Sequence, residues 1–220
     1  MIDAAQANGV LLMEGFTQHF LPHLEYTREV IDSGEIGEVK IVRSELTYTL
    51  QDWENDVRAN AELAGGSLLD AGCYCASTIR GVLHSEPLEV QAYQRIAEPN
   101  HVDATFVGVM RFPGDVMAYM ATGIEQPFRG CCEVIGTKGR IEVPTLFGGD
   151  RVQVSIGGNE RVVSFDPYDR FQLQIEHFSE CILTGDPLLL PPEEGLRNVA
   201  VLAALKQAAE HGCSTAVEPV

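Results

Sequence analysis

Residues 88–165 hold seven β-prone runs: LEVQAYQRI (88–96), ATFVGVMRF (104–112), VMAYMATGI (116–124), CCEVIGT (131–137), RIEVP (140–144), RVQVSI (151–156) and RVVSF (161–165). Each is rich in β-branched or aromatic residues, which suit a pleated, half-buried surface. Turn residues separate them at Pro113-Gly114-Asp115, Gly136-Thr137-Lys138-Gly139, Gly148-Gly149-Asp150 and Gly157-Gly158-Asn159. These connections are too short for a crossover helix, so the stretch predicts a large, mainly antiparallel sheet.

Upstream, VKIVRSELTYT (Val39 to Thr49) alternates as a strand with one wet face should. Helices are predicted over about Leu21 to Asp32, Ser67 to Leu83, Tyr168 to Leu183 and Pro192 to His211. The first eight residues read as a helix ending at Asn8-Gly9, and Val10 to Met13 as a short buried strand. Gln51 to Leu63 is a polar loop with Trp53 in its middle, long enough to suggest function. The expected fold is α+β: an open sheet with helices packed on one face, plus a short N-terminal helix–strand piece. Several runs are apolar on both parities, VMAYMATGI above all. That predicts a covering partner for the open face, most simply a second copy across a two-fold axis, giving a homodimer.

Composition narrows the function. The 220 residues carry 15 Lys plus Arg against 32 Asp plus Glu, a formal net charge of −17. Such a surface repels phosphate backbones and anionic membranes, which argues against nucleic acid and membrane partners. The N-terminus MIDAAQANG has neither the basic run nor the apolar core of a signal peptide, so a cytoplasmic, reducing setting is expected. The six cysteines include Cys73-x-Cys75 and the adjacent pair Cys131-Cys132, neither spaced as a zinc C-x-x-C. They read as small core thiols, and no metal site is expected.

The stretch richest in chemistry is GGSLLDAGCY (Gly65 to Tyr74). On a helix Asp70 and Tyr74, four apart, share one face. Two glycines at its start allow close approach of a backbone or ligand. A tyrosine hydroxyl can serve as general acid or base, and a neighbouring carboxylate can orient a substrate hydroxyl. The bland alternative for Asp70 is a capping box with Ser67, which the Ser-x-x-Asp spacing on its own favours. For Tyr74 it is simple packing.

Five stretches then carry a family likeness, in order along nearly the whole chain: ANGVLLMEGF (7–16), VIDSGEIGEVKIVR (30–43), LAGGSLLDAGCYCAS (63–77), EVIGTKGRIEVPTLF (133–147) and IEHFSECILTGDP (175–187). With them the chain resembles the C-terminal domain of the glucose–fructose oxidoreductase (Gfo/Idh/MocA) family, in its sugar and dihydrodiol dehydrogenase branch. The resemblance implies a substrate domain at residues 17–220 that also dimerises, and a remnant of a Rossmann domain at 1–16. It makes Tyr74 the proton donor or acceptor, with Asp70 beside it. It places Arg58, His177 and Trp53 on the substrate side. Glu14, Phe16 and His19 fall on the cofactor side, His19 standing near a position where relatives carry arginine.

The same resemblance implies NAD or NADP for the full-length family and a sugar or diol as substrate. Yet no G-x-G-x-x-G occurs in the chain, and none of its lysines, Lys40, Lys138 and Lys206, lies in a Glu-Lys-Pro motif. No cofactor is therefore expected for this chain alone, and isolated it should be inactive. Three functions stay open. The chain is a truncated dehydrogenase that starts late, a stand-alone module that binds a polyol or dimerises, or a half-enzyme completed by a separate Rossmann chain.

Overall fold

The computed structural model describes residues 1–220. Nine strands form one open sheet in the order β8-β7-β6-β5-β1-β4-β3-β2-β9. The strands are β1 (Val39–Thr49), β2 (Glu89–Ala97), β3 (Val102–Arg111), β4 (Met117–Gly123), β5 (Glu125–Gly136), β6 (Gly139–Val143), β7 (Arg151–Ile156), β8 (Asn159–Ser164) and β9 (Thr215–Ala216). Five helices accompany them: α1 (Ile2–Ala7), α2 (Pro22–Asp32), α3 (Cys73–Leu83), α4 (Arg170–Thr184) and α5 (Pro192–His211). This is the expected large, mostly antiparallel open sheet.

The exception to antiparallel pairing lies at its centre. β1 runs parallel to β4, with Ile41 opposite Met117 and Thr47 opposite Gly123, and antiparallel to β5 on its other side. Local turns build β2-β3-β4 and β5-β6-β7-β8 as two meanders, and β1 joins them. β5 starts six residues before the CCEVIGT run, at Glu125. Its first half contains Pro127, and the β1–β5 register shifts between Thr47 and Thr49. Proline is tolerated at such irregularities. The Thr47 and Thr49 hydroxyls donate to the carbonyls of Pro127 and Gln126, replacing ladder bonds there.

Strand periodicity places the core. Val42 and Leu46 of β1, Phe106 and Met110 of β3, Met120 of β4, Val134 of β5 and Ile141 of β6 share one buried phase. Ile79 of α3 and Leu205 of α5 join the same cluster. The opposite phase, with Ile41, Tyr93, Val107, Val109 and Met117, is left open. A smaller cluster of Leu50, Ala59, Ala97, Val102, Ala104 and Ile124 sits under the 51–64 loop. Four cysteines (75, 131, 132 and 181) are buried as expected, but Cys213 is exposed past the end of α5.

Two local expectations change. Val10 to Met13 is not a strand: no ladder reaches it, and Val10 and Leu11 are exposed. A short apolar run becomes a strand only beside another, and none lies next to this one. The capping box is also absent. The helix expected from Ser67 opens with a π turn at Leu68–Gly72, and its N-terminal cap comes from β3. Asp103 accepts from the Ser67 hydroxyl at 2.8 Å and from the Leu68 N–H at 2.7 Å. Gly66, at φ +112°, is what lets that carboxylate approach, since a Cβ there would sit 2.1 Å from Asp103 Oδ1.

Candidate functional site around Tyr74

Because Asp103 caps the helix, Asp70 is free for other work. Its Oδ2 accepts from the Tyr48 hydroxyl at 2.5 Å, and its Oδ1 accepts from Arg58 Nε at 2.8 Å. Arg58 is delivered by the two glycines. The Gly66 and Gly65 N–H groups donate to the carbonyls of Arg58 and Asn60, each at 2.9 Å. A Cβ on Gly65 would stand 2.6 Å from the Arg58 carbonyl oxygen, so only glycine permits this approach. The Arg58 guanidinium is held above its usual range by Asp70. The Tyr48 hydroxyl is pushed far up by burial and by Asp70, and stays a protonated donor.

Tyr74 follows Asp70 by one helical turn. Its ring is clamped edge-on between Phe16, at 5.4 Å between centroids, and Phe147, at 5.3 Å. The hydroxyls of Tyr26, Tyr48 and Tyr168 bond to other side chains, but that of Tyr74 does not. Tyr74 lines a cavity of about 250 Å³ with Gly15, Thr17, Leu46, Phe147, Arg170 and Phe171. Burial raises its pKa above the ordinary phenol value, and Cys73, Asp70 and Glu14 push the same way, with Arg170 opposing. As it stands Tyr74 is a neutral phenol: it can donate a proton to a substrate oxygen, and accepting one requires a nearby cation.

The structure thus joins Asp70 to Arg58 and Tyr48, and one turn later sets Tyr74 in a cavity with Arg170. Tyr48, on Asp70, and Arg170, beside Tyr74, were not singled out from the sequence. Tyr48 carried a weak signal, a tyrosine on the inward phase of β1 two residues after the buried Leu46. Arg170, next to the helix-capping Asp169, carried none.

Of the other candidates, Phe16 packs on Tyr74, and Trp53, His177, Glu14 and His19 make separate contacts. The Trp53 ring packs on the small cluster under its loop, and its carbonyl accepts from Asn100. His177 Nε2 accepts from the Leu189 N–H at 3.0 Å, and its ring lies 5.1 Å from that of Phe20, bracing the link between α4 and α5. Glu14 is exposed beside the start of α5, where its carboxylate faces Gly195. Phe16 is buried on Tyr74. His19 is buried with Nε2 2.7 Å from the Ser77 hydroxyl. Phe16 and His19 thus turn inward, while Glu14 stays at the surface.

A larger cavity of about 480 Å³ lies between the end of α3 and the start of α5. Its buried Arg80 is bound by Glu86 at 2.6 Å and Glu194 at 2.9 Å, a structural ion network. No group of three or more His, Cys, Asp or Glu is placed to hold a metal ion. No helix is long and apolar enough to cross a membrane.

The chain is 30% identical to D-xylose 1-dehydrogenase (NADP(+)) 2 of Haloferax volcanii, over 99% of its own length and 68% of that protein. It is 27% identical to trans-1,2-dihydrobenzene-1,2-diol dehydrogenase of Xenopus laevis, over 84% of its own length and 58% of that protein. Among solved structures it is similar to the aldose-aldose oxidoreductase of Caulobacter crescentus, complexed with glycerol. The TM-score is 0.90 with 28% identity, over 98% of this chain and 66% of the other. Residues 24–142 match the GFO/IDH/MocA C-terminal domain, and the chain belongs to that family.

Proposed function

We propose that this chain is the substrate-binding and dimerisation part of an NAD(P)-dependent oxidoreductase acting on a CH–OH group of a sugar or diol. Residues 17–220 form that part, and residues 1–16 belong with a dinucleotide-binding unit. The observation that carries the reading is the unengaged Tyr74 hydroxyl in a small cavity, one helical turn from Asp70. Hydride acceptance is the nicotinamide's chemistry, supplied by a unit outside these 220 residues. As hydride leaves the CH–OH group Tyr74 Oη takes up the hydroxyl proton, and in the reverse, carbonyl-reducing direction it returns that proton to the oxygen, with Asp70 one turn earlier on the same helix orienting the substrate. By itself it is inactive and binds no dinucleotide. Purified chain should show no rise in melting temperature with millimolar NAD or NADP, but a rise with sugars or diols. Dinucleotide stabilisation of the chain would count against the reading.

Tyr48 supports the site through Asp70. Tyr48→Phe removes one charge-assisted hydrogen bond from that carboxylate. It is expected to lower kcat/KM of the enzyme completed with its dinucleotide unit by about 10-fold, with the fold retained.

Two surfaces support the assembly. α4 turns Ile175, Ile182 and Leu183 to solvent, which suits docking of the dinucleotide unit, in the same polypeptide or as a separate chain. The open sheet face carries Val107, Val109 and Met117 beside the ion pairs Arg43–Glu133 at 2.7 Å and Glu45–Arg129 at 2.5 Å. Such a self-complementary mixture suits a two-fold dimer. At micromolar concentration the chain is expected to sediment as a dimer and Val109→Glu as a monomer. A monomeric wild type would remove the dimer.

A further inference from the structure

The substrate class can be narrowed, on the reading that the Tyr74 cavity is the substrate site. We propose that Arg170 recognises an anionic group on the substrate, so that this enzyme prefers acidic sugars over neutral ones. Arg170 is the only charged side chain lining the cavity; its other walls are Gly15, Thr17, Leu46, Tyr74, Phe147 and Phe171.

Although acids outnumber bases two to one, no carboxylate neutralises this guanidinium, whereas Arg43, Arg58, Arg80, Arg129 and Arg161 are all paired. It also stands at the first position of α4, where the helix dipole disfavours a cation. Two aromatic rings hold it there instead. Its guanidinium carbon lies 4.7 Å from the Phe171 centroid and 5.6 Å from that of Phe147. Stacking fixes the plane and leaves the N–H fork free, the geometry that takes a carboxylate or phosphate in two parallel hydrogen bonds.

The cavity's size favours the substrate as the source of that anion. About 250 Å³ lies below the range for drug-sized ligands and suits a monosaccharide, not a dinucleotide. In a chain of net charge −17, an anionic substrate needs a local cation of this kind. A hydroxyl presented to Tyr74 and an acid presented to Arg170 would fix a short polyol at both ends.

The test is calorimetric titration of the chain and of Arg170→Gln with glucose, glucuronate, glucose 6-phosphate and NADP. Glucuronate or the sugar phosphate is expected to bind at least about 10-fold more tightly than glucose, with the stronger of the two naming the anion. Arg170→Gln should erase that preference, and Arg170→Lys should restore part of it. Equal binding of acid and neutral sugars, unchanged in Arg170→Gln, overturns this inference and leaves the proposed function standing. Loss confined to NADP binding assigns Arg170 to the cofactor and overturns it too. Binding of no sugar by a cooperatively folded chain overturns both.

Discussion

Tyr74→Phe is expected to lower kcat/KM of the enzyme completed with its dinucleotide unit by at least about 100-fold, the usual scale of a lost general acid or base. Its melting temperature should stay within about 2 °C of wild type. Both halves follow from the same contacts. Phenylalanine keeps the edge-on packing against Phe16 and Phe147. The hydroxyl it removes bonds to nothing in the chain, so no buried partner is stranded. Activity is lost because no other proton-carrying group lines the cavity apart from the Thr17 hydroxyl and the always-charged Arg170. Turnover near the wild-type rate would remove Tyr74 from proton transfer. A pH profile sharpens the test. In the carbonyl-reducing direction, a limb in kcat/KM on the alkaline side, from the deprotonation of a phenol, should disappear with Tyr74.

The second large effect is acid sensitivity from His19. Burial, with help from the charges of Arg28 and Arg80, lowers its pKa from 6.5 to about 3. The unfolded chain therefore binds a proton near pH 6.5 that the folded chain refuses until near pH 3. Stability contributed by the neutral imidazole is complete above pH 6.5 and falls as the pH drops through that window. By pH 4 the loss is on the order of 3 kcal/mol. Urea unfolding between pH 4 and 7 measures it, and His19→Gln should flatten the slope. His23 adds to the loss in the same direction, since burial also lowers its pKa. A slope unchanged in His19→Gln would mean that the imidazole is not held neutral.

Local signals were read well and distant ones were not. β1 and α5 run over the residues their periodicity predicts, Val39–Thr49 and Pro192–His211. β7 matches its run at Arg151–Ile156. These segments carry their own alternation or amphipathic face, and their turns close within a few residues. The parallel pairing of β1 with β4 had no such trace, because nothing in either strand specifies a neighbour far along the chain. The cap of the Ser67 helix failed for the same reason. Its acceptor, Asp103, lies on β3, while the spacing pointed to the nearer Asp70. At the candidate site, motif and likeness pointed to Asp70, Tyr74 and Arg58. Tyr48 reaches Asp70 from β1 and Arg170 reaches the Tyr74 cavity from α4, elements that only the fold brings there. Likeness also singled out His177 and Trp53, whose contacts in the fold are with Leu189 and Phe20 and with the small cluster under the 51–64 loop.

The position of β1 has a kinetic consequence. The meanders on either side of it can form from contacts between near neighbours in sequence, at small loop-closure cost. β1 cannot: it must pair at once with β4 and β5, both distant in the chain. β1 is therefore expected to join late, because non-local pairing slows folding. Until it arrives, the facing edges of β4 and β5 are unpaired templates on which another molecule's strand can settle. The strand that carries Tyr48 thus also closes both of those edges in the finished sheet.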